Sequence, residues 1–201
     1  MGKAQLIRQA LAKHGQLIMP GVYDALSAKI AARAGFEVIF ITGYSLSATL
    51  LGEPDFGLLT QTEVVGAAQR ICSVVDTPVI VDADTGYGNA INVMRTVQDL
   101  IRAGAGGMFL EDQVWPKRCG HMKGKQVIAL DEQIKKLKAA KTDMIRRHQI
   151  RQKIKARCEH LDKSRYGDDI LGLKSAKLLR AAPKVEPIAQ RSGFGRGGPR
   201  R

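Results

Sequence analysis

Carboxylate side chains follow two apolar runs of the sequence, at the point where each run ends. Asp82 and Asp84 come at the end of the run 78–81, and Glu111 follows the run 107–110. Carboxylate and water oxygens are the ligands that Mg²⁺ prefers, and the ion commonly takes only one or two carboxylates directly. The three carboxylates therefore form a candidate site for Mg²⁺, or for Mn²⁺ in its place.

A polar segment directly after the second run carries further reactive side chains. Residues 111–125 contain Lys117, Cys119 and His121 within a glycine-containing stretch. A thiol among cationic groups is available for chemistry. The simpler interpretation is a surface-loop cysteine without a role, and it would hold if the segment stood alone. The carboxylates beside it favour a functional loop.

The segments that must position these residues are predicted to be strands and helices in alternation along the chain. Near-continuous apolar strands separated by helices are typical of a parallel sheet that helices cover. We expect Thr62 to cap the second predicted helix, and Gly35 and Gly104 to end the first and third. The predicted strands are 17–24, 36–41, 78–81 and 107–110, and the predicted helices are 25–34, 62–75, 91–103 and 130–141.

Each predicted strand turns polar at its carboxyl end. Parallel strands bring these ends to one rim, where ligands bind in α/β folds. A single polar residue there could simply begin a loop, whereas repeated carboxylates favour a site. We therefore expect the following residues to converge although they are far apart in sequence: Tyr23, Asp24, Thr42, Asp82, Asp84, Glu111 and Asp112.

The charge of the chain is unevenly distributed. The formal net charge of the 201 residues is +13, of which residues 1–130 contribute +1 and residues 131–201 contribute +12. A general nucleic-acid-binding role is therefore excluded for the first two thirds. The apolar share of 44% is enough for a folded core.

Signals for a cellular compartment are sparse. The three cysteines do not form a disulfide framework, and no run approaches the roughly 18 apolar residues of a membrane span. The first residues predict an amphipathic helix rather than a targeting segment. We expect a cytoplasmic protein without a membrane partner. The apolar face of the helix carries Leu6, Ile7, Ala10 and Leu11.

Several segments carry a resemblance to a known family. The most specific are PVIVDADTGYG at 78–88 and EDQVWPKRCGH at 111–121, supported by GVYDALSA, LGEPDFGLLT and NVMRTV. Together they resemble the isocitrate lyase / phosphoenolpyruvate mutase superfamily over residues 4–142, and most of all its short lyases for methylisocitrate and dimethylmalate. The resemblance implies a (β/α)₈ barrel of the TIM type, Mg²⁺, a small 2-hydroxy or 2-oxo carboxylic acid as substrate, and homo-oligomeric relatives.

The resemblance also implies roles for individual residues. Asp82 and Asp84 resemble the metal-site aspartates, and Glu111 resembles the carboxylate that holds metal waters. Residues 42–44 correspond to a cradle for the substrate carboxylate, in which the bulk of Tyr44 leaves the substrate size open. The substrate-binding candidates are Thr42, Gly43, Tyr44 and Gly120.

Residues 117–121 match the mobile gating loop of the family. Cys119 corresponds to the proton donor, and Asp55 matches an aspartate close to the site. Phosphonate-forming mutases of the superfamily lack the cysteine motif, so Cys119 indicates the carbon–carbon lyases. The catalytic candidates are Cys119, Lys117, His121 and Asp55.

The resemblance ends near residue 142. We therefore expect residues 1–142 to form about four βα units, the first half of a barrel, and residues 143–201 to be a basic irregular or helical tail without strands. A frameshift or a truncated gene product would explain the change, as would a diverged second half. With half of the barrel absent, we expect little or no activity and weak stability.

The first functional hypothesis is a Mg²⁺-dependent carbon–carbon lyase. Oxaloacetate decarboxylase and a carboxyphosphonoenolpyruvate mutase-like enzyme are the alternatives within the family. A nucleic-acid-binding protein that uses the tail is the alternative from another class. The tail offers only Tyr166 and Phe194 as stacking aromatics, which argues against nucleic acid as a partner.

Overall fold

The computed structural model describes residues 2–142 of the chain. The predictions for the basic tail, 143–201, lie outside the described residues. These are its irregular or helical structure, its lack of strands and its use for nucleic acid.

A parallel sheet organises the described residues. Each strand pairs with the next one along the chain in parallel orientation, in the order first to fourth. Helical segments connect successive strands, which confirms the α/β class and the predicted series of βα units. The strands are β1 (Gly21–Val22), β2 (Ile39–Ile41), β3 (Val79–Asp82) and β4 (Gly107–Phe109).

Helices precede, connect and follow these strands. Among the described residues, no helix is both long enough and apolar enough to cross a membrane. The helices are α1 (Lys3–His14), α2 (Ala25–Arg33), α3 (Gly43–Leu50), α4 (Gln61–Cys72), α5 (Ala90–Ala103) and α6, which covers 130–142.

The main core lies between one face of the sheet and helices α2, α4 and α5. Ile39, Ile41 and Val81 are fully buried there against residues of these helices. Side chains alternate along a strand, so Phe40 faces the other way. Its ring lies 5.0 Å from that of Phe109, which is 47% exposed. The face covered by α2, α4 and α5 therefore carries the main core, whereas α1 packs at the other face through Ala10 and Ile80.

The start of α4 differs from the prediction. Thr60, not Thr62, is the N-cap, and its side chain accepts a hydrogen bond from the backbone N–H of Glu63. The Glu63 side chain in turn accepts from the Thr60 N–H at 2.7 Å. These two hydrogen bonds form a capping box, which requires the capping residue and the glutamate to be three positions apart. Thr60 and Glu63 have this spacing, whereas Thr62 is adjacent to Glu63. The helix ends at Cys72, earlier than the predicted residue 75.

Helix α3 was not predicted. Its sequence, GYSLSATL, is rich in residues of low helix propensity. Thr42 caps it by accepting a hydrogen bond from the Ser45 N–H at 3.0 Å. Gly43 and Tyr44 consequently lie in the first turn of a helix rather than in a loop.

The amino-terminal predictions need two corrections. Strand β1 covers only two residues of the predicted run 17–24, and Ile18 within that run is 76% exposed. In α1, Ala10 is buried and packs with Ile80, but Leu11 is 47% exposed and lies off the apolar face. The buried stripe of α1 is therefore narrower than the sequence indicated.

Candidate active site

The carboxyl ends of the strands form one rim. Asp82 ends β3, and Thr42 follows β2 directly. The Glu111 N–H donates a hydrogen bond to the Asp84 carbonyl at 2.7 Å, which joins the segment after β4 to the segment after β3. Asp84 and Glu111, predicted to share a rim, thus lie beside each other.

Lys117 is the centre of this rim. Its side chain is 1% exposed, and its Nζ lies 2.6 Å from Asp55 Oδ2 and 2.7 Å from Asp84 Oδ1. Asp55 comes from the segment after α3, and Asp84 from the segment after β3. The predicted gating loop therefore places an ammonium group between two carboxylates from distant parts of the sequence.

Asp82 and Gly43 bind each other across the rim. The Gly43 N–H donates to Asp82 Oδ2 at 3.2 Å, and the Asp84 N–H donates to Asp82 Oδ1 at 3.0 Å. A Cβ at Gly43 would lie 3.1 Å from Asp82 Oδ2 and 3.5 Å from Asp55 Oδ2. Glycine therefore allows the carboxylates to approach. The Gly43 N–H, expected to hold substrate, binds Asp82 in this structure.

Two backbone conformations at the rim are unusual. Asp84 has φ 46° and Tyr87 has φ 61°, although neither is glycine. Such values are uncommon outside glycine and gather at functional sites. The Tyr87 hydroxyl donates to Asp84 Oδ2 at 3.2 Å. Tyr87 was missed as a site residue, and its position in the TGYG turn between Gly86 and Gly88 was the available signal.

Negative charge at the rim exceeds positive charge. Burial raises the pKa of Asp84, and Asp82 and Asp55 add to the rise, while Lys117 opposes it. Burial also raises the pKa of Glu111, again against the effect of Lys117. Burial disfavours the charge of Lys117, but Asp84 and the hydrogen bond to Asp55 outweigh it and raise the pKa of Lys117. Four carboxyl groups thus face one ammonium group.

The carboxylate oxygens fit a hard divalent cation that keeps some of its waters. Within residues 2–142, no three His, Cys, Asp or Glu side chains lie close enough together to enclose a metal. The buried Asp84 Oδ1 has the Lys117 ammonium, 2.7 Å away, as its partner, and this ammonium is shared with Asp55. Mg²⁺ needs one or two carboxylates and completes its shell with water.

The candidate acid, Cys119, lies in a loop that is closed at its base. The Val114 N–H donates to the Gln126 carbonyl at 2.8 Å, and the Ile128 N–H donates to the Asp112 carbonyl at 2.9 Å. Cys119 is a free, half-buried thiol. The predicted loop is thus a hairpin-like excursion anchored at the rim.

A cleft of about 400 Å³ opens beside the carboxylates. Tyr44 and His121 lie on it with their rings edge to face, 6.2 Å apart. Asp55 also lines the cleft and so joins it to the carboxylate cluster. Tyr44, Asp55 and His121, predicted from three separate segments, therefore meet. The cleft is lined by Tyr44, Ala48, Gly52, Glu53, Pro54, Asp55, His121 and Met122.

The fold and the rim define a class of protein. Parallel strands that pair in chain order, with helices between them and polar side chains at their carboxyl ends, are found in TIM barrels. The sequence profile described as phosphoenolpyruvate phosphomutase matches residues 7–173. The chain belongs to this family, which confirms the resemblance seen in the motifs.

Individual relatives include both mutases and lyases. The chain is 58% identical over 130 residues to a chloroplastic carboxyvinyl-carboxyphosphonate phosphorylmutase from Arabidopsis thaliana, covering 64% of this chain and 38% of the relative. It is 48% identical over 140 residues to 2,3-dimethylmalate lyase from Eubacterium barkeri, covering 70% and 48%. The chain therefore spans less than half the length of these relatives.

Solved structures agree with the fold. A crystal structure of 2,3-dimethylmalate lyase matches with a TM-score of 0.68 at 39% identity, covering 73% of this chain and 50% of that one. Phosphonopyruvate hydrolase in complex with oxalate and Mg²⁺ matches with a TM-score of 0.63 at 34% identity, covering 71% and 48%. The described sheet thus corresponds to about half of a barrel of this superfamily.

Proposed function

We propose that this chain carries the metal site and the acid loop of a Mg²⁺-dependent carbon–carbon lyase for a small 2-hydroxy or 2-oxo carboxylic acid. The observation that supports it most is the group of four carboxylates around Lys117 at the rim, two of which, Asp55 and Asp84, are buried. Asp82, Asp84 and Glu111 would hold the cation. When bound, a divalent cation supplies a Lewis acid beside the negative charge that develops on cleavage.

The residues of the chain account for the proton transfers of a retro-aldol cleavage. Asp55, which borders the cleft, accepts the proton of the 2-hydroxyl as the carbon–carbon bond breaks and the new carbonyl forms. The electron pair of that bond stays on the other fragment, at the carbon adjacent to its carboxylate. Cys119 then donates its thiol proton to this carbon, and a proton returns from Asp55 to the thiolate through water.

The loop and the cleft contribute orientation. With a cation held at Asp84, the Lys117 ammonium would keep its contact with Asp55 and would be available to a substrate carboxylate. Tyr44 and His121 form the outer wall of the cleft and limit the length of the substrate. Thr42, Gly43 and Gly120 stay candidates for holding the substrate through hydroxyl and backbone groups.

The metal part of the proposal is tested by Mn²⁺ binding to the purified chain, followed by electron paramagnetic resonance. We expect saturable binding that Asp82→Asn weakens by about 10-fold or more. Asp76→Asn is the matched control, because Asp76 is exposed and lies before β3, away from the rim. Equal affinities of the wild type and Asp82→Asn would contradict the metal site.

The catalytic part is tested by joining residues 1–142 to the remaining segment of 2,3-dimethylmalate lyase, which supplies the rest of a barrel. We expect Mg²⁺-dependent release of pyruvate or glyoxylate from 2-hydroxy diacids. Cys119→Ser should reduce the rate by about 100-fold or more, as loss of a general acid does. An active chimera that keeps its rate with Cys119→Ser would refute the assignment of the acid.

A mutase that forms or rearranges a phosphorus–carbon bond is the second candidate. The 58% identity to the Arabidopsis phosphorylmutase favours it. The two candidates differ in products, so ³¹P nuclear magnetic resonance of the same chimera with carboxyphosphonoenolpyruvate distinguishes them. Formation of a phosphinate or phosphonate signal would replace the lyase assignment. The oxaloacetate decarboxylase alternative would show as loss of oxaloacetate with release of CO₂.

Location and assembly stay predictions. The cytoplasmic location expected from the sequence is untested, and the Arabidopsis relative is described as chloroplastic. We propose that a complete protein of this type is homo-oligomeric, as expected from the resemblance.

A further inference from the structure

Gln113 makes an unusual set of contacts at the base of the loop. It is buried, and its Oε1 accepts a hydrogen bond from the Arg118 N–H at 3.0 Å. Its Nε2 donates to the Arg118 carbonyl at 2.9 Å and to Glu111 Oε2 at 2.6 Å. One side-chain amide thus binds both backbone groups of a loop residue and a rim carboxylate.

The position of Arg118 gives these contacts their importance. Arg118 lies between Lys117, whose ammonium reaches Asp55 and Asp84, and Cys119. When the N–H and the carbonyl of one residue are both held, the directions of its two neighbours are held as well. Gln113 therefore restricts the part of the loop that carries the ammonium group and the thiol.

We propose that Gln113 is a positioning residue that couples the rim carboxylate Glu111 to the loop segment Lys117–Gly120. The inference rests on the proposed function for the meaning of Glu111 and Cys119. When a cation binds at the rim, the hydrogen bond from Gln113 keeps Glu111 oriented, and the same amide keeps the thiol in place.

Only an amide can make this set of contacts. It must accept from one N–H and donate twice, once to a carbonyl and once to a carboxylate. Glutamate at 113 could accept from Arg118 but would face Glu111 as a like charge. Methionine would fill the same space without any of the three hydrogen bonds. These substitutions therefore separate shape from hydrogen bonding.

The test compares Gln113→Ala, Gln113→Met and Gln113→Glu in the full 201-residue chain. Gln126→Ala is the matched control, since Gln126 is exposed in the same loop. The first measurement is the alkylation rate of Cys119 by iodoacetamide, read by peptide mass spectrometry. Cys72, whose pKa burial raises to about 11, is the slow internal reference. We expect Cys119 to react several-fold faster in all three variants, with Cys72 and the control unchanged.

The second measurement is Mn²⁺ affinity by electron paramagnetic resonance. Loss of a residue that orients a metal-site group costs about 10-fold or more in affinity, and we expect this loss for Gln113→Ala and Gln113→Met. A residue that only stabilises the fold would alter the melting temperature and both thiol rates, without a specific effect on the cation.

The outcomes separate the two proposals. Gln113→Met preserves side-chain volume. If Cys119 in this variant is alkylated at the same rate as in the wild type, the positioning role is overturned. Faster Cys119 with unchanged Mn²⁺ affinity would overturn the coupling to Glu111. If the wild-type chain binds no Mn²⁺, the metal site of the proposed function fails, and the Cys119 rates alone still decide whether Gln113 positions the loop.

Discussion

At the scale of single residues, the rim carries more negative charge than the Lys117 ammonium can neutralise. Lys117 serves two carboxylates, and Asp82 and Glu111 add two more acids to the same neighbourhood. Burying unpaired charge is costly. Binding of a metal cation in addition to the Lys117 ammonium would lower the free energy of such a rim. This connects the electrostatics to the proposed metal site.

The first prediction concerns Lys117→Met. Removing the ammonium leaves Asp55 and Asp84 buried without their partner, and breaking a buried pair typically costs about 3–5 kcal/mol of the free energy of unfolding. Urea denaturation measures the loss. Added Mn²⁺ should restore part of the stability, because a ligand that binds the folded state stabilises it.

Lys135→Met is the control for this prediction. Lys135 pairs with Asp131 on the exposed surface of α6, where ion pairs contribute little. A similar loss of stability in both variants would contradict the assigned importance of the buried pair.

The second prediction concerns Glu111→Gln and pH. Burial raises the pKa of Glu111 in the folded chain, so the folded state binds its proton more tightly than the unfolded state. Stability from this group is therefore greatest at low pH and falls as the pH rises through the raised pKa. Without a divalent cation, Glu111→Gln should remove this fall and be more stable than the wild type at pH 7.

Thermal unfolding between pH 4 and pH 8 measures this difference. The advantage of Glu111→Gln should shrink toward pH 4 and reverse when Mg²⁺ is added at neutral pH, because the variant loses a carboxylate. A stability difference that is independent of pH would show that the charge of Glu111 is not the cause.

At the scale of elements, local hydrogen bonds decide where the helices begin. Thr60 and Glu63 start α4 through their capping box, and Thr42 starts α3 in a sequence of weak helix propensity. The start of α3 matters for the site, because it brings the Gly43 N–H to Asp82.

The third prediction tests the corrected start of α4. Thr60→Ala removes the acceptor for the Glu63 N–H and should lower the free energy of unfolding by about 1 kcal/mol. Thr62→Ala, within the first turn, removes no cap and should change stability far less. Urea denaturation of both variants gives the comparison. A larger effect at Thr62 would support the prediction made from the sequence instead.

At the scale of the whole molecule, the described sheet has two open edges. Within residues 2–142, β1 pairs only with β2 and β4 only with β3. Open edges favour association with other chains. The rim supplies carboxylates and a loop ammonium, but catalysis also requires that the reacting groups be held rigidly in place.

The fourth prediction follows for the 201-residue chain by itself. We expect little or no release of pyruvate or glyoxylate from 2-hydroxy diacids with Mg²⁺, together with a concentration-dependent tendency to associate. Coupled spectrophotometric assays and light scattering measure the two properties. Robust turnover by the monomeric chain would show that residues beyond 142 complete the site.

The sequence by itself determined the parallel α/β class, the family and the acidic ends of the strands. Apolar runs and polar strand ends are local patterns, and they fix which edge of a parallel sheet carries the carboxylates. The motif residues of the loop were likewise visible as a group, because they are adjacent in the chain.

Only the tertiary structure decided how these residues meet. No local pattern shows that Lys117 points between Asp55 and Asp84, which are 62 and 33 positions away in the sequence. Nor does any pattern show that Gln113 joins Glu111 to Arg118, or that Tyr87 donates to Asp84. These contacts depend on how separate segments fold back onto one rim, where burial makes each unpaired charge costly and so selects its partner.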